Sequence, residues 1–289
     1  MLKDFLKSLR IKQWVKNLFI FAAIVFDRQL TNWDSLTRTI FGFIIFCLLS
    51  SSVYVFNDIF DIKADQSHPK KKNRPIASGR IQIHQALFTG LILTVVSLTW
   101  AYSIKYNFFL ISSIYLILNI IYSKWLKHLP IIDVMIIASG FVLRVAAGVA
   151  LIKVERFSPW LYVVTTLLAL FIGFGKRRAE LMLLARDANQ HRTVFDGYTI
   201  DFLDQLITIV SGTTIVAYSL YTFSAPNLPT NHAMMMTIPF VIYGIFRYLY
   251  LIKVQQSGGE PEELVMKDRP LQATIFIWVL SVLAIFYFS

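Results

Sequence analysis

Three aspartates, Asp58, Asp61 and Asp65, stand in the run Asn57-Asp58-Ile59-Phe60-Asp61-Ile62-Lys63-Ala64-Asp65. On a helix they fall at i, i+3 and i+7, so three carboxylates share one face. A row of this kind directly after a membrane-length apolar stretch needs cations to neutralise it. Hard cations with oxygen ligands suit it, above all Mg²⁺ carrying a substrate diphosphate. A basic run follows, with Lys70, Lys71, Lys72, Arg74 and Arg80. Carboxylates for a metal beside bases for phosphate oxygens read as a site for a phosphorylated substrate. The plain alternative is a solvated loop of mixed charge.

A second polar island is Gly175-Lys176-Arg177-Arg178-Ala179-Glu180, continuing through Arg186, His191, Arg192, Asp196, Tyr198, Asp201 and Asp204. Bases gathered at the mouth of a helix bundle suit more than one phosphate, Arg as a bidentate fork and Lys as a point charge. A charged topology-setting loop is the competing reading, for Arg178 in particular. Arg144 lies deep in an apolar stretch, where a charge costs roughly 2.5–3.5 kcal/mol on insertion scales. It should face the interior and hold an anion, with Asp133 as the purely structural partner. Arg247 raises the same question closer to a surface. Tyr122 and Lys127 close another apolar stretch and serve either a phosphate or the membrane interface, and Lys16 stands in the similar Gln13-Trp14-Val15-Lys16-Asn17. The segment 258–270 reads as a connection rather than a lid. The histidines form no second metal pattern.

These residues must be positioned by membrane helices. The chain is 56% hydrophobic and 15% aromatic over 289 residues, well beyond soluble proteins. Nine spans are expected, at 14–31, 36–56, 84–104, 107–122, 131–152, 159–175, 204–223, 234–252 and 271–288, as helices because no open sheet can cross lipid. The first is the weakest, its apolar centre being short. Most of the 28 Lys and Arg residues fall in the N-terminal segment and the loops after even-numbered spans. That places the N-terminus and those loops in the cytoplasm and the C-terminus outside. The net charge of +11 is explained this way, so no nucleic-acid partner is implied. Residues 1–17 read as a surface-lying amphipathic helix without a signal-peptide cleavage pattern. Cys47 stands alone, which excludes an intramolecular disulfide. Ser50-Ser51-Ser52 and the Ala/Gly clusters at 138–148 read as close helix packing.

With Asn57-Asp58-x-x-Asp61-x-x-x-Asp65 and Arg74-Pro75, the chain resembles the UbiA-type membrane prenyltransferase superfamily over nearly its whole length. The resemblance implies an all-α, single catalytic domain (1–289) with nine transmembrane helices around a central cavity. It also implies Mg²⁺ as cofactor, bound as Mg²⁺–diphosphate by the Asp-rich motif. Typical members carry a second Asp-rich motif after helix six, where this chain has Lys176, Arg177, Arg178 and Glu180. That departure resembles the decaprenyl-phosphate phosphoribosyltransferase branch. So do Gln13–Asn17, His68-Pro69-x-Lys71-x-x-Arg74-Pro75-Ile76-Ala77-Ser78-Gly79, Asp133 with 140–144, Asp196-Gly197-Tyr198 and Asp268-Arg269-Pro270.

The branch implies 5-phosphoribosyl diphosphate (PRPP) as donor and a polyprenyl phosphate as acceptor, in the bacterial cytoplasmic membrane and in cell-envelope synthesis. It implies Asp58 and Asp61, with Asp65 directly or through water, as metal ligands, and Asn57 as a group orienting the diphosphate. Lys71 and Arg74 would neutralise phosphate oxygens, while Arg144, Lys176 and Arg177 divide the ribose 5-phosphate and the lipid phosphate. Lys16, Tyr122, Lys127 and Arg186 are further substrate contacts, and Glu180 binds ribose hydroxyls or orients the bases. Isoprenyl transfer to an aromatic acceptor is the alternative within the superfamily, with Asp201-x-x-Asp204 as a displaced acid motif. A transporter or lipid-binding protein is the alternative outside it. Homo-oligomerisation is left open.

Overall fold

A computed structural model of the chain describes residues 2–67, 71–154, 158–186, 197–226, 228–255 and 261–288. Side chains 2, 183–186 and 261–263 also lie outside that description. Every regular element among the described residues is helical. In chain order the α-helices are α1 (Leu2–Ser8), α2 (Ala22–Phe26), α3 (Trp33–Phe60), α4 (Ile62–Gln66), α5 (Ile83–Ile104) and α6 (Tyr106–Lys124). Then come α7 (Ile132–Leu151), α8 (Trp160–Arg186), α9 (Ile200–Ser224), α10 (Ile238–Lys253), α11 (Pro261–Lys267) and α12 (Arg269–Phe288).

Eight of the described helices are long and apolar enough to cross a membrane. The expected first span is not a continuous α-helix. A 3₁₀ segment, Ile11–Phe21, runs into the short α2 instead. The 3₁₀ form rises about 2.0 Å per residue against about 1.5 Å for the α form. Sixteen residues therefore reach about 30 Å, the depth of the hydrocarbon core. The short apolar centre explains the departure. Gln13, Trp14 and Asn17 need polar partners, and the segment packs where α3 offers them.

The chain divides into two compact units, one of residues 1–24, 29–136 and 143–154, the other of 25–28, 137–142 and 155–289. In the first, Ile20, Ile45, Phe46, Leu49, Phe108, Tyr115 and Leu151 form the core. Here Gly148 is required, because a Cβ would run into the backbone carbonyl of Ile20. In the second, Tyr218, Tyr221, Met234, Val282 and Phe286 pack together. The Tyr218 hydroxyl is satisfied there by Thr237 Oγ1 at 2.6 Å and by the Trp278 indole N–H at 2.8 Å. Large exposed side chains such as Phe88, Ile209 and Phe276 are the surface that lipid covers.

Helix ends are set by capping. Asn32 opens α3 by accepting from the Ser35 N–H at 3.1 Å, and Thr199 opens α9 by accepting from Phe202 at 3.1 Å. With 28 residues, α3 is about 42 Å long, well beyond the hydrocarbon core. Its surplus length accommodates the polar last turn that carries Asn57 and Asp58.

Candidate active site

The acidic row forms where α3 gives way to α4. Asp61 breaks the regular helix with φ −95° and ψ 6°, yet the helical hydrogen bonds continue through it. Asp61 N–H donates to Asn57 and Asp65 N–H to Asp61. Asp58, Asp61 and Asp65 are all buried. Arg74 Nη1 donates to Asp65 Oδ2 at 2.6 Å and to Asp58 Oδ1 at 3.2 Å. Arg10, not singled out in the sequence, adds its guanidinium to the same Asp58 oxygen at 2.5 Å. Asp61 has other partners. It pairs with Lys127 and accepts from the Asn57 amide at 3.2 Å. Asp58 and Asp65 thus share Arg74, while Asp61 is held by Lys127 and Asn57.

Local structure explains how the bases arrive. Lys71–Asn73 form a 3₁₀ turn, and Ile76, Ala77 and Ile81 bury the loop that follows. Gly79, at φ 76°, takes the left-handed conformation that the turn needs. The Gln66 side chain donates to Ala77 O at 3.1 Å, tying the loop back to α4. Lys127 lies in a 3₁₀ turn after α6. That turn leads into Ile131, at φ 68° and ψ −51°, whose flanks are joined by a hydrogen bond from Ile132 N–H to Pro130 O at 2.8 Å. This is the strained γ-turn, a costly conformation for a β-branched residue. The strain lies in the loop that delivers Lys127 to Asp61.

These donors suit a hard divalent cation. Carboxylate oxygens of Asp58 and Asp65 converge within 3.2 Å of a single cationic nitrogen. Among the described residues no three His, Cys, Asp or Glu side chains already gather in metal-binding geometry.

Beneath this lies a buried polar network. Arg144 Nε donates to Asn17 Oδ1 at 2.7 Å and Nη2 to the Tyr115 hydroxyl at 2.9 Å. Its guanidinium also lies 4.9 Å from the Tyr115 ring centroid. Asn17 in turn donates to Ser50 Oγ at 3.1 Å and Cys47 Sγ at 3.3 Å. Ser51 accepts from the Trp14 indole at 3.0 Å and donates to Leu9 O at 2.9 Å. The serine run thus does more than allow close packing, since Ser50 and Ser51 moor the N-terminal segment. Asn17 and Tyr115 were missed as contributors. Asn17 had a signal, standing beside Lys16 in a polar island, whereas Tyr115 is one aromatic in an apolar helix. Lys16, Lys71 and Tyr122 are half-buried in the same unit.

In the second unit α8 carries the basic island, so residues 175–186 extend a helix instead of forming a loop. Gly175 sits against α10, where a Cβ would stand 3.0 Å from the Tyr248 hydroxyl. Lys176 is half-buried. Arg177 is buried and paired with Glu180 one turn on. Arg178 is structural. It bonds Asp204 at 2.8 Å and Ile252 O at 3.0 Å, joining α8, α9 and α10, and Lys253 adds to Asp204 at 3.2 Å. Arg247 grips Asp268 with two bonds of 2.7 and 3.2 Å, and Asp268 caps α12 through the Leu271 N–H at 2.8 Å. Arg186 ends α8 with its side chain outside the described residues, as are His68, Pro69, Lys70 and Asp187–Asp196 altogether.

Fold and site together define a polytopic membrane enzyme with an Asp-rich helix end and a basic helix end. A profile of the UbiA prenyltransferase family matches residues 18–267. A protein of Mycolicibacterium smegmatis named decaprenyl-phosphate phosphoribosyltransferase is 34% identical over 98% of this chain and 92% of its own. One of the same name from Corynebacterium glutamicum is 30% identical over 98% of this chain and 86% of its own. The fold is similar to that of a UbiA homolog from Archaeoglobus fulgidus solved with GPP and Mg²⁺. The TM-score is 0.76 and the identity 20%, covering 98% of this chain and 99% of that one. This chain belongs to the UbiA prenyltransferase family and is an integral membrane protein.

Proposed function

We propose that the chain, as one catalytic domain, transfers the 5-phosphoribosyl group of PRPP to the phosphate of a polyprenyl lipid and releases diphosphate. The observation that carries this reading is the chemistry of α8. Where isoprenyl-diphosphate enzymes of the resembled pattern place acids for a further metal, the sequence of this helix carries Lys176, Arg177 and Arg186. Bases serve phosphate groups that carry no metal, and PRPP with a lipid phosphate brings two such groups. Of the acids nearest in sequence, Asp204 pairs with Arg178 and Lys253. The full-length relatives named decaprenyl-phosphate phosphoribosyltransferase support the same reading.

Mg²⁺ would be held by Asp58, Asp61 and Asp65, and when bound it stabilises the charge that builds on departing diphosphate. Arg74, Lys71 and Lys127 bind phosphate oxygens, and Asn57 orients the diphosphate by hydrogen bonding. Lys16, Tyr122, Arg144, Lys176, Arg177 and Arg186 are the candidates for the remaining phosphate oxygens. Glu180 keeps Arg177 in place. The acceptor phosphate is already anionic at neutral pH, so no general base is needed. Its oxygen attacks the anomeric carbon as the bond to diphosphate breaks, with inversion. The residues contribute positioning and electrostatic stabilisation.

By the distribution of Lys and Arg, the reaction faces the cytoplasm of a bacterial inner membrane. Mass spectrometry of the lipid extract after incubation with PRPP, Mg²⁺ and polyprenyl phosphate tests the proposal. The lipid must gain one phosphoribosyl group, and a lipid of unchanged mass would overturn the reading.

A further inference from the structure

Arg10 is held in a conformation that ordinary residues avoid. It sits between α1 and the 3₁₀ segment at φ 50° and ψ 50°, in the left-handed region. Its neighbours clamp it there. Leu9 O accepts from Ser51 Oγ, and Trp14 donates to the same hydroxyl. Phe5 and Leu9 pack against Val55, Ile76, Ile81 and Ala86. Asp4 pairs with Arg80 at 2.9 Å, fixing α1 from its other side. The outcome is a guanidinium over the Tyr54 ring, 5.0 Å from its centroid, with Nη2 on Asp58.

Charge balance then constrains what can bind. Asp58 and Asp65 are neutralised by Arg10 and Arg74. A divalent cation that takes the two carboxylates leaves two guanidinium groups without an anion beside a new positive ion. A diphosphate entering alone meets two carboxylates. Neither is favourable, but when the two enter together the charge of each offsets that of the other. The cation takes the acids and the arginines move to phosphate oxygens, where bidentate contact is strong.

Resting on the metal–diphosphate part of the proposed function, we infer that Arg10 is a diphosphate-binding residue which exchanges Asp58 for phosphate oxygens when Mg²⁺ and diphosphate enter together. It couples the two ligands, so that each raises the other's affinity by the same factor.

Isothermal titration of the full-length protein tests this with Mg²⁺ alone and with inorganic diphosphate in saturating Mg²⁺. Arg10→Gln removes one of the two competitors for Asp58 and leaves Arg74, so affinity for Mg²⁺ alone should rise about tenfold. It also removes one charged hydrogen bond to diphosphate, so that affinity should fall about 10–100-fold. Arg10→Lys keeps the charge but not the fork. It should bind Mg²⁺ alone as the wild type does and diphosphate several-fold more weakly. Lys12→Gln, an exposed charge change two residues away, should alter neither. The opposite signs are decisive, because a merely structural Arg10 would lower both affinities together or change neither, and either result would overturn the inference. Inorganic diphosphate is common to phosphoribosyl and isoprenyl donors. These titrations therefore judge Arg10 whichever donor is correct, and the lipid product judges the donor.

Discussion

Arg144 Nε donates to Asn17 Oδ1 at 2.7 Å, joining residues 127 positions apart inside the buried core of the first unit. Neither Asn17 nor Tyr115, the partner at Nη2, carries a formal charge at neutral pH. They orient the guanidinium through hydrogen bonds and a ring face. Asn17 also ties the arrangement to Ser50 and Cys47 on α3. Asn17→Ala leaves a buried charged donor without this acceptor and should cost roughly 1–3 kcal/mol. At about 2–4 °C per kcal/mol, the thermal midpoint in detergent should fall by several degrees. An unshifted midpoint would show that the bond contributes nothing.

Removing a metal carboxylate should stop the chemistry. Asp58→Asn and Asp61→Asn preserve shape, so protein should still be recovered from membranes. Loss of an outer-shell partner typically costs about 10–100-fold, and loss of a direct ligand should exceed that. Turnover near the wild-type rate at saturating Mg²⁺ would remove these residues from the metal site.

Lys176→Ala should raise the KM for PRPP or for the lipid phosphate by about 10–100-fold, the effect of one charged hydrogen bond. Arg178→Ala should act differently. Its bonds to Asp204 and Ile252 hold helices together, so it should lower the thermal midpoint. Steady-state kinetics beside melting curves separates the two roles. Unaltered kinetics in the lysine variant would return that position to a topology role.

The Asp268–Arg247 pair gives stability a definite pH dependence. The Arg247 hydrogen bonds, and then the Leu271 N–H, hold the Asp268 carboxyl below the usual carboxylate range. Its contribution is present above the ordinary aspartate value of about 3.9 and is lost as pH falls through the depressed folded value. Asp268→Asn should therefore melt earlier than the wild type at pH 7, with the two curves converging below about pH 4. A constant difference across that range would contradict the assignment.

Gly148 faces the Ile20 carbonyl with no room for a methyl group. Gly148→Ala should cost about 1–3 kcal/mol through overpacking. A normal midpoint in melting curves would show that the 3₁₀ segment yields freely.

Much of this was legible because it is local. Asp58 and Asp65 announce themselves by helical spacing, the long apolar stretches by length, and Arg74 by following the acids within one loop. What was not legible depends on distance. Lys127 meets Asp61 across 66 positions through a strained turn that no propensity favours at Ile131. Arg10 was hidden among N-terminal bases that a membrane topology already explains. The expected first span is a 3₁₀ segment and a short helix and is not among the eight membrane-length helices, because polar partners on α3 outweighed the preference for a regular α-helix. Asp201-x-x-Asp204 has the spacing of a displaced acid motif, and the pairing of Asp204 with Arg178 and Lys253 follows from the packing of α8, α9 and α10, which spacing does not reveal.

The most direct test of the central claim uses PRPP labelled with ¹⁴C in the ribose and ³²P in the diphosphate, incubated with purified protein, Mg²⁺ and polyprenyl phosphate. Phosphoribosyl transfer predicts ¹⁴C in the lipid phase and ³²P left in the aqueous phase as diphosphate, with EDTA abolishing the separation. If no ¹⁴C reaches the lipid, while an isoprenyl diphosphate supplied with 4-hydroxybenzoate is consumed, the account is contradicted and the bases of α8 do not select the donor.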